Sequence, residues 1–226
     1  MVMTAEEILE KLKLLGQDGY KRTLLNHGVV EPVFGVKIEE LKKIQKVVKR
    51  NYQLALDLYE TGVYDAMYLA GLVADDKAMT KPDLQHWVSH AKSEPISLYT
   101  VPWVAAQGLH GWELGLEWIE SPQPSVAVSG WATLSGLVAL TDDENLDIDA
   151  LRSLLLRIPA LLPQQPRQVS SAMNSFVIAI GSYVSALTQP ALDMNEQTEL
   201  LTKASDAIRK IEQRGGIGKK RKTIKC

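Results

Sequence analysis

Residues 38–74 read IEELKKIQKVVKRNYQLALDLYETGVYDAMYLAGLVA. In the first part Ile38, Leu41, Ile44, Val47 and Val48 recur at intervals of three and four, the spacing of one helix face. Lys42, Lys43, Lys46 and Lys49 fall between them, which predicts that they lie on the opposite face. Leu54, Leu56, Leu58 and Tyr59 follow in a second helical run stopping at Gly62, and Tyr64–Ala74 form a third, rich in small residues that allow close packing. Short helices joined by turns of a few residues are the pattern of stacked helical hairpins.

The pattern extends in both directions. Upstream, Thr4 with Glu7 makes a capping box ahead of Ile8, Leu9, Leu12 and Leu15, with Gly16 as the stop. A short helix over Gly19–Asn26 ends near Gly28, and Val29–Val36, with Pro32 and Gly35, reads as a loop. Downstream, Thr80 and Asp83 make a second box with Pro82 in the first turn of a helix running to about Lys92. Further helices are expected over Tyr99–Gln107, Gly111–Glu120, Val126–Leu140, Leu151–Leu161, Val169–Leu187 and Glu196–Arg214, with Asp147 as an N-cap. The nearly uncharged stretch Val126–Leu140 must be buried on most sides. The reading is an all-α chain of eleven or twelve helices, an α-α superhelix of HEAT-like hairpins over residues 1–214, followed by a basic C-terminal tail, residues 215–226.

Composition narrows the function classes. The chain has 226 residues, 46% of them hydrophobic, enough to build a core and too many for a disordered chain. A single Cys, at position 226, excludes an intramolecular disulfide framework and a multi-Cys zinc site. No apolar run reaches the roughly 18 residues a membrane span needs, and the acidic, amphipathic N-terminus is unlike a signal peptide. A cytoplasmic monomer with no membrane partner is expected. No phosphate-loop, dinucleotide or HExxH motif occurs, so no cofactor is expected. His86 and His90 have the i, i+4 spacing of a metal-binding face but no third ligand nearby in sequence, so no metal is expected either.

The formal charge of −2 conceals segregation. Residues 37–50 hold Lys37, Lys42, Lys43, Lys46, Lys49 and Arg50 against Glu39 and Glu40. Residues 209–226 hold eight basic residues, among them Lys219, Lys220, Arg221 and Lys222, against Glu212 alone. Between the two, residues 51–208 carry seven basic and 19 acidic residues. Concentrated cations present a local positive field even in a near-neutral chain, which suits a nucleic-acid backbone as the partner. The acidic middle leaves a second reading, a non-catalytic solenoid that takes a protein partner. Five Trp against two Phe is the remaining bias. Trp103 and Trp131, each near a helix start, are the candidates for aromatic walls.

Several segments resemble the DNA alkylation repair family, the AlkD-like alkylpurine DNA glycosylases with HEAT-like repeats. Phe34-Gly35-Val36-Lys37 followed by Leu41-Lys42-Lys43 is similar to the family's FGV-[KR]-x-x-x-L-[RK] approach to a basic helix. Leu54–Tyr59 with Gly62, Tyr64-Asp65-Ala66 and Leu69–Asp75 resembles its aliphatic hairpin. Gly130-Trp131, Ala172–Tyr183 and Gly218–Lys222 resemble a sub-branch with a basic tail. The resemblance implies a helical scaffold that grips duplex DNA through Lys and Arg, and hydrolysis of the N-glycosidic bond of alkylated purines. Alkylation makes the base a good leaving group, so a carboxylate and aromatic faces suffice to stabilise an oxocarbenium-like sugar. The chain departs from that pattern where chemistry matters. Ser97–Val104 keeps an aromatic but no carboxylate, and Gly130-Trp131 stands where active members place an Arg pair. A divergent member lacking the catalytic Asp and Arg is the expectation, with no acid assigned.

Overall fold

Side-chain caps open four of the described α-helices. The computed structural model describes residues 3–194 and 199–225, and these contain thirteen α-helices and no strand. Contacts gather them into two units, one of residues up to His110 together with Lys225, the other from Gly111 to Ile224. No single described helix is long and apolar enough to cross a membrane. Cys226 and the expected helix start at Glu196 lie outside the described residues.

The first unit starts with α1 (Ala5–Leu15), whose Thr4–Glu7 box is formed in both directions and which buries Ile8 and Leu12. After α2 (Asp18–Asn26) come α3 (Ile38–Val48), α4 (Tyr52–Glu60) and α5 (Tyr64–Val73). Every residue of α5 is buried, because α1, α3 and α4 all pack on it. The small residues expected to permit close packing do so: a Cβ on Gly71 would lie 2.6 Å from Thr100 Cγ2. The second capping box, Thr80 with Asp83, opens α6 (Lys81–His90).

Gly16 follows the last residue of α1, where the sequence placed the stop, with φ −60°. A Cβ there would lie 2.6 Å from the Phe34 carbonyl oxygen, so glycine is needed for closeness. One expectation in this unit is corrected. The helix expected to begin at Tyr99 starts earlier, as a π-turn over Ile96–Thr100 that runs into α7 (Val101–Gln107). There the Val101 N–H donates to the Ile96 carbonyl, five residues back. Pro102 has no N–H to donate to Leu98, which removes the α-type bond that would compete.

The second unit packs α8 (Gly111–Ile119) on α9 (Pro124–Leu140) and α9 on α11 (Arg167–Tyr183). Uncharged α9 is buried on most sides, as expected. Asp147 caps α10 (Ile148–Leu161) through a bond from the Ala150 N–H. The long helix expected over Val169–Leu187 breaks instead at Val184, turns by 118°, and resumes as a short 3-10 turn and α12 (Thr188–Leu192). Two groups take the carbonyls that a continuing helix would use. The Gly218 N–H donates to Ser182 O at 2.8 Å, and Thr188 Oγ1 donates to Gly181 O at 2.8 Å. Pro190 lies inside α12, and the last helix is α13 (Glu199–Gln213).

Candidate nucleic-acid interface

The approach to the basic helix is anchored by a buried acid. Asp65, in the first turn of α5, is fully buried and accepts N–H groups from Phe34 (2.6 Å), Val36 (2.7 Å) and Gly35 (3.4 Å). Burial pushes its carboxyl above the usual range, against the lowering effect of those donors. Gly35 sits at φ 81°, and a Cβ there would lie 2.6 Å from the Lys21 nitrogen. The Phe-Gly-Val segment is thus clamped to α5, which sets where α3 begins. With its lone pairs engaged by the backbone, Asp65 is a structural carboxylate.

On α3, Leu41 and Ile44 are buried. The expected stripe is narrower than the sequence suggested, because Val47 is 66% exposed. Lys37, Lys43, Lys46, Lys49 and Arg50 are exposed and Lys42 is half-buried. Lys43 is paired with Glu40 at 2.6 Å. Among the described residues, the side chains of Lys37, Lys42, Lys46 and Lys49 have no ion-pair or hydrogen-bond partner. Spacings of four and three put Lys42, Lys46 and Lys49 in one sector of the helix. Lys49 caps α3 at φ 58°, and no other non-glycine among the described residues has positive φ. That conformation costs a side-chain-bearing residue on the order of 1–3 kcal/mol.

The C-terminal cations behave differently. Lys220 Nζ lies 2.8 Å from Asp143 Oδ1 and donates to Val138 O at 2.9 Å. Arg221 Nε donates to the Tyr183 hydroxyl at 2.6 Å, and the Arg221 N–H donates to Ala139 O at 2.7 Å. In the first unit, Lys225 is paired at 2.6 Å with Asp76, which is 6% exposed. Burial raises the Asp76 carboxyl and lowers the Lys225 ammonium, and their mutual attraction opposes both shifts. Lys219 and Lys222 are exposed. Sequence reasoning missed Asp76 and Asp143 as counter-ions because neither is near its partner in sequence.

The aromatic candidates are both interior. Trp103 is 6% exposed, set edge-on to Tyr68 at 5.3 Å and near Tyr99, which is 46% exposed. Trp131 is 2% exposed and packs on Phe176 at 5.0 Å. It also lines a cavity of about 260 Å³, with Glu120 and Arg157, 2.8 Å apart, among the other lining residues. Glu113 and Glu117 lie on the exposed face of α8. His86 pairs with Glu60, and His90 Nδ1 lies 2.8 Å from the His86 carbonyl. Among the described residues no group of three His, Cys, Asp or Glu is arranged to hold a metal ion.

Comparison with known proteins places these features. Two uncharacterized proteins, Lin0241 of Listeria innocua and Lmo0209 of Listeria monocytogenes, are each 22% identical to this chain over 197 residues, covering 85% of both chains. A solved structure matches 99% of this chain, and all of its own, with 28% identity and a TM-score of 0.91. It represents a new family of proteins related to the HEAT-like repeat DNA glycosylases, with affinity for branched DNA structures. The helical-repeat architecture expected from the sequence is therefore HEAT-like. Residues 8–211 match the family described as DNA alkylation repair enzyme, and the chain belongs to that family.

Proposed function

We propose that this protein binds the DNA backbone through the cation face of α3, with Lys42, Lys46 and Lys49 as the central contacts and Lys37 and Arg50 at the two ends. The observation that carries this reading is that these lysine side chains sit on one anchored helix with no partner inside the fold. The branched-DNA affinity of the solved relative supports the same partner. Phosphate contacts of this kind fix a protein on nucleic acid without reading sequence, and each releases condensed counterions. The logarithm of the binding constant should therefore fall with the logarithm of salt at a slope of about −0.9 per phosphate contacted, near −3 for three lysines. A titration of duplex and branched DNA from low to physiological salt tests this. Absence of binding to either at the lowest salt defeats the reading.

A second reading, N-glycosidic hydrolysis, is favoured by the cavity that Trp131 lines. Trp131 and Glu120 both line it, an aromatic residue and a carboxylate of the kinds that stabilise a positively charged sugar. Incubation with alkylated duplex decides it: release of free base that disappears in Glu120→Gln supports catalysis, and no release from the wild type removes it.

A further inference from the structure

The link between α3 and α4 holds a shape that glycine would adopt freely and lysine does not. Lys49 has φ 58° and ψ −154°, a region used almost only by glycine, because a Cβ there crowds the adjoining peptide groups. The surroundings impose it. The Lys49 N–H donates to Gln45 O at 2.8 Å, and the Gln45 side chain donates to Leu72 O at 3.0 Å. Two residues later the Asn51 N–H donates to Val73 O at 2.8 Å, while the Asn51 side chain caps α4 by accepting the Leu54 N–H. Both ends of the elbow are thus tied to the end of α5, and the residue between them must turn left-handed. At the other positions of positive φ among the described residues the chain uses glycine: Gly28, Gly35, Gly62, Gly215 and Gly218. Only here is a side chain kept, and that side chain is exposed and unpaired within the fold.

We infer that the strained elbow is a positioning device: it fixes the direction in which the Lys49 side chain leaves the backbone next to Lys42 and Lys46, so that its ammonium reaches one phosphodiester of bound nucleic acid. This rests on the DNA-binding reading of α3 and makes Lys49 a located contact, distinct from a member of a diffuse positive field. The proposal separates two properties that usually move together. Lys49→Gly relieves the backbone, so Tm should rise by about 2–5 °C after allowing for the flexibility glycine adds to the unfolded chain. The same substitution should weaken DNA binding about tenfold at low salt and flatten the salt slope by about 0.9. Restoring the charge elsewhere on the helix, as Val47→Lys together with Lys49→Gly, should not restore affinity. Recovery in that double variant, unchanged binding in Lys49→Gly, or a lower Tm in Lys49→Gly each overturns the inference. Lys42→Ala with Lys46→Ala serves as the control: if that pair weakens binding and Lys49→Gly does not, only the positioning role fails. If neither does, the DNA-binding reading of α3 fails with it.

Discussion

Two segments of this chain look alike in sequence and differ in the structure. Residues 37–50 and 209–226 are its two concentrations of lysine and arginine, and the second has the larger excess. On α3, four lysines are left without partners. In the C-terminal segment Lys220, Arg221 and Lys225 are each bound to Asp143, Tyr183 or Asp76. A cation already paired in a half-buried setting has given up its hydration and its counter-ion demand to the fold, so it has little left to offer a phosphate. Formal charge counts the C-terminal segment as the stronger basic element, while pairing and burial take Lys220 and Lys225 out of that count and leave Lys210, Arg214, Lys219 and Lys222 exposed.

The most damaging test of this contrast is at the anchor of α3. Asp65→Ala removes the acceptor of the N–H groups of Phe34, Gly35 and Val36 and leaves them buried. A loss of about 3–5 kcal/mol is expected in urea melts, because hydrogen bonds to a charged acceptor are worth more than neutral ones. Next, Lys42, Lys46 and Lys49 all changed to Ala should lower DNA affinity roughly a hundredfold at 0.1 M salt, whereas deleting residues 215–226 should lower it less than about threefold. A larger loss on deletion than on the triple change, in the same fluorescence titration, would reverse the assignment of the two segments.

Releasing the tail is a gentler probe. Asp76→Asn strips Lys225 of its buried counter-ion and should cost about 1–3 kcal/mol, because Lys225 keeps partial access to water. It should also change the response to pH. The Asp76 carboxyl is raised by burial, so the folded protein holds its proton more tightly than the unfolded chain does. The stability this group contributes is then fully present below its unfolded value and is lost as pH rises through the raised folded value. Wild-type melts between pH 4 and 7 should show that decline, and Asp76→Asn should show less of it. The smallest change is expected at Lys43, whose pairing with Glu40 is exposed. Lys43→Ala should shift stability by less than about 0.5 kcal/mol.

Much of the helical frame was legible. Thr4, Thr80 and Asp147 cap where they were expected to, because a cap is a contest between a side chain and the amide groups three residues away. The π-turn at Ile96–Thr100 was not read, although Pro102, which removes the competing α-type bond, stands beside it in sequence. Nor was the break at Val184, where Gly218, 34 residues on, takes a carbonyl from the helix. Of the candidate site, the cation face of α3 could be read from spacing, apart from exposed Val47. The engagement of the tail could not, because Lys220 meets Asp143 and Lys225 meets Asp76 across separations that no local pattern encodes.

What was written in the order of residues is therefore the all-helical class, the caps and the list of available charges, since each depends on neighbours within a turn or two. Which lysines are spent on the fold and which are left for a partner, and why Lys49 stands where glycine would be at ease, was decided only once distant helices met. Charge pairing and backbone strain depend on distances in space, and the folded packing sets those distances.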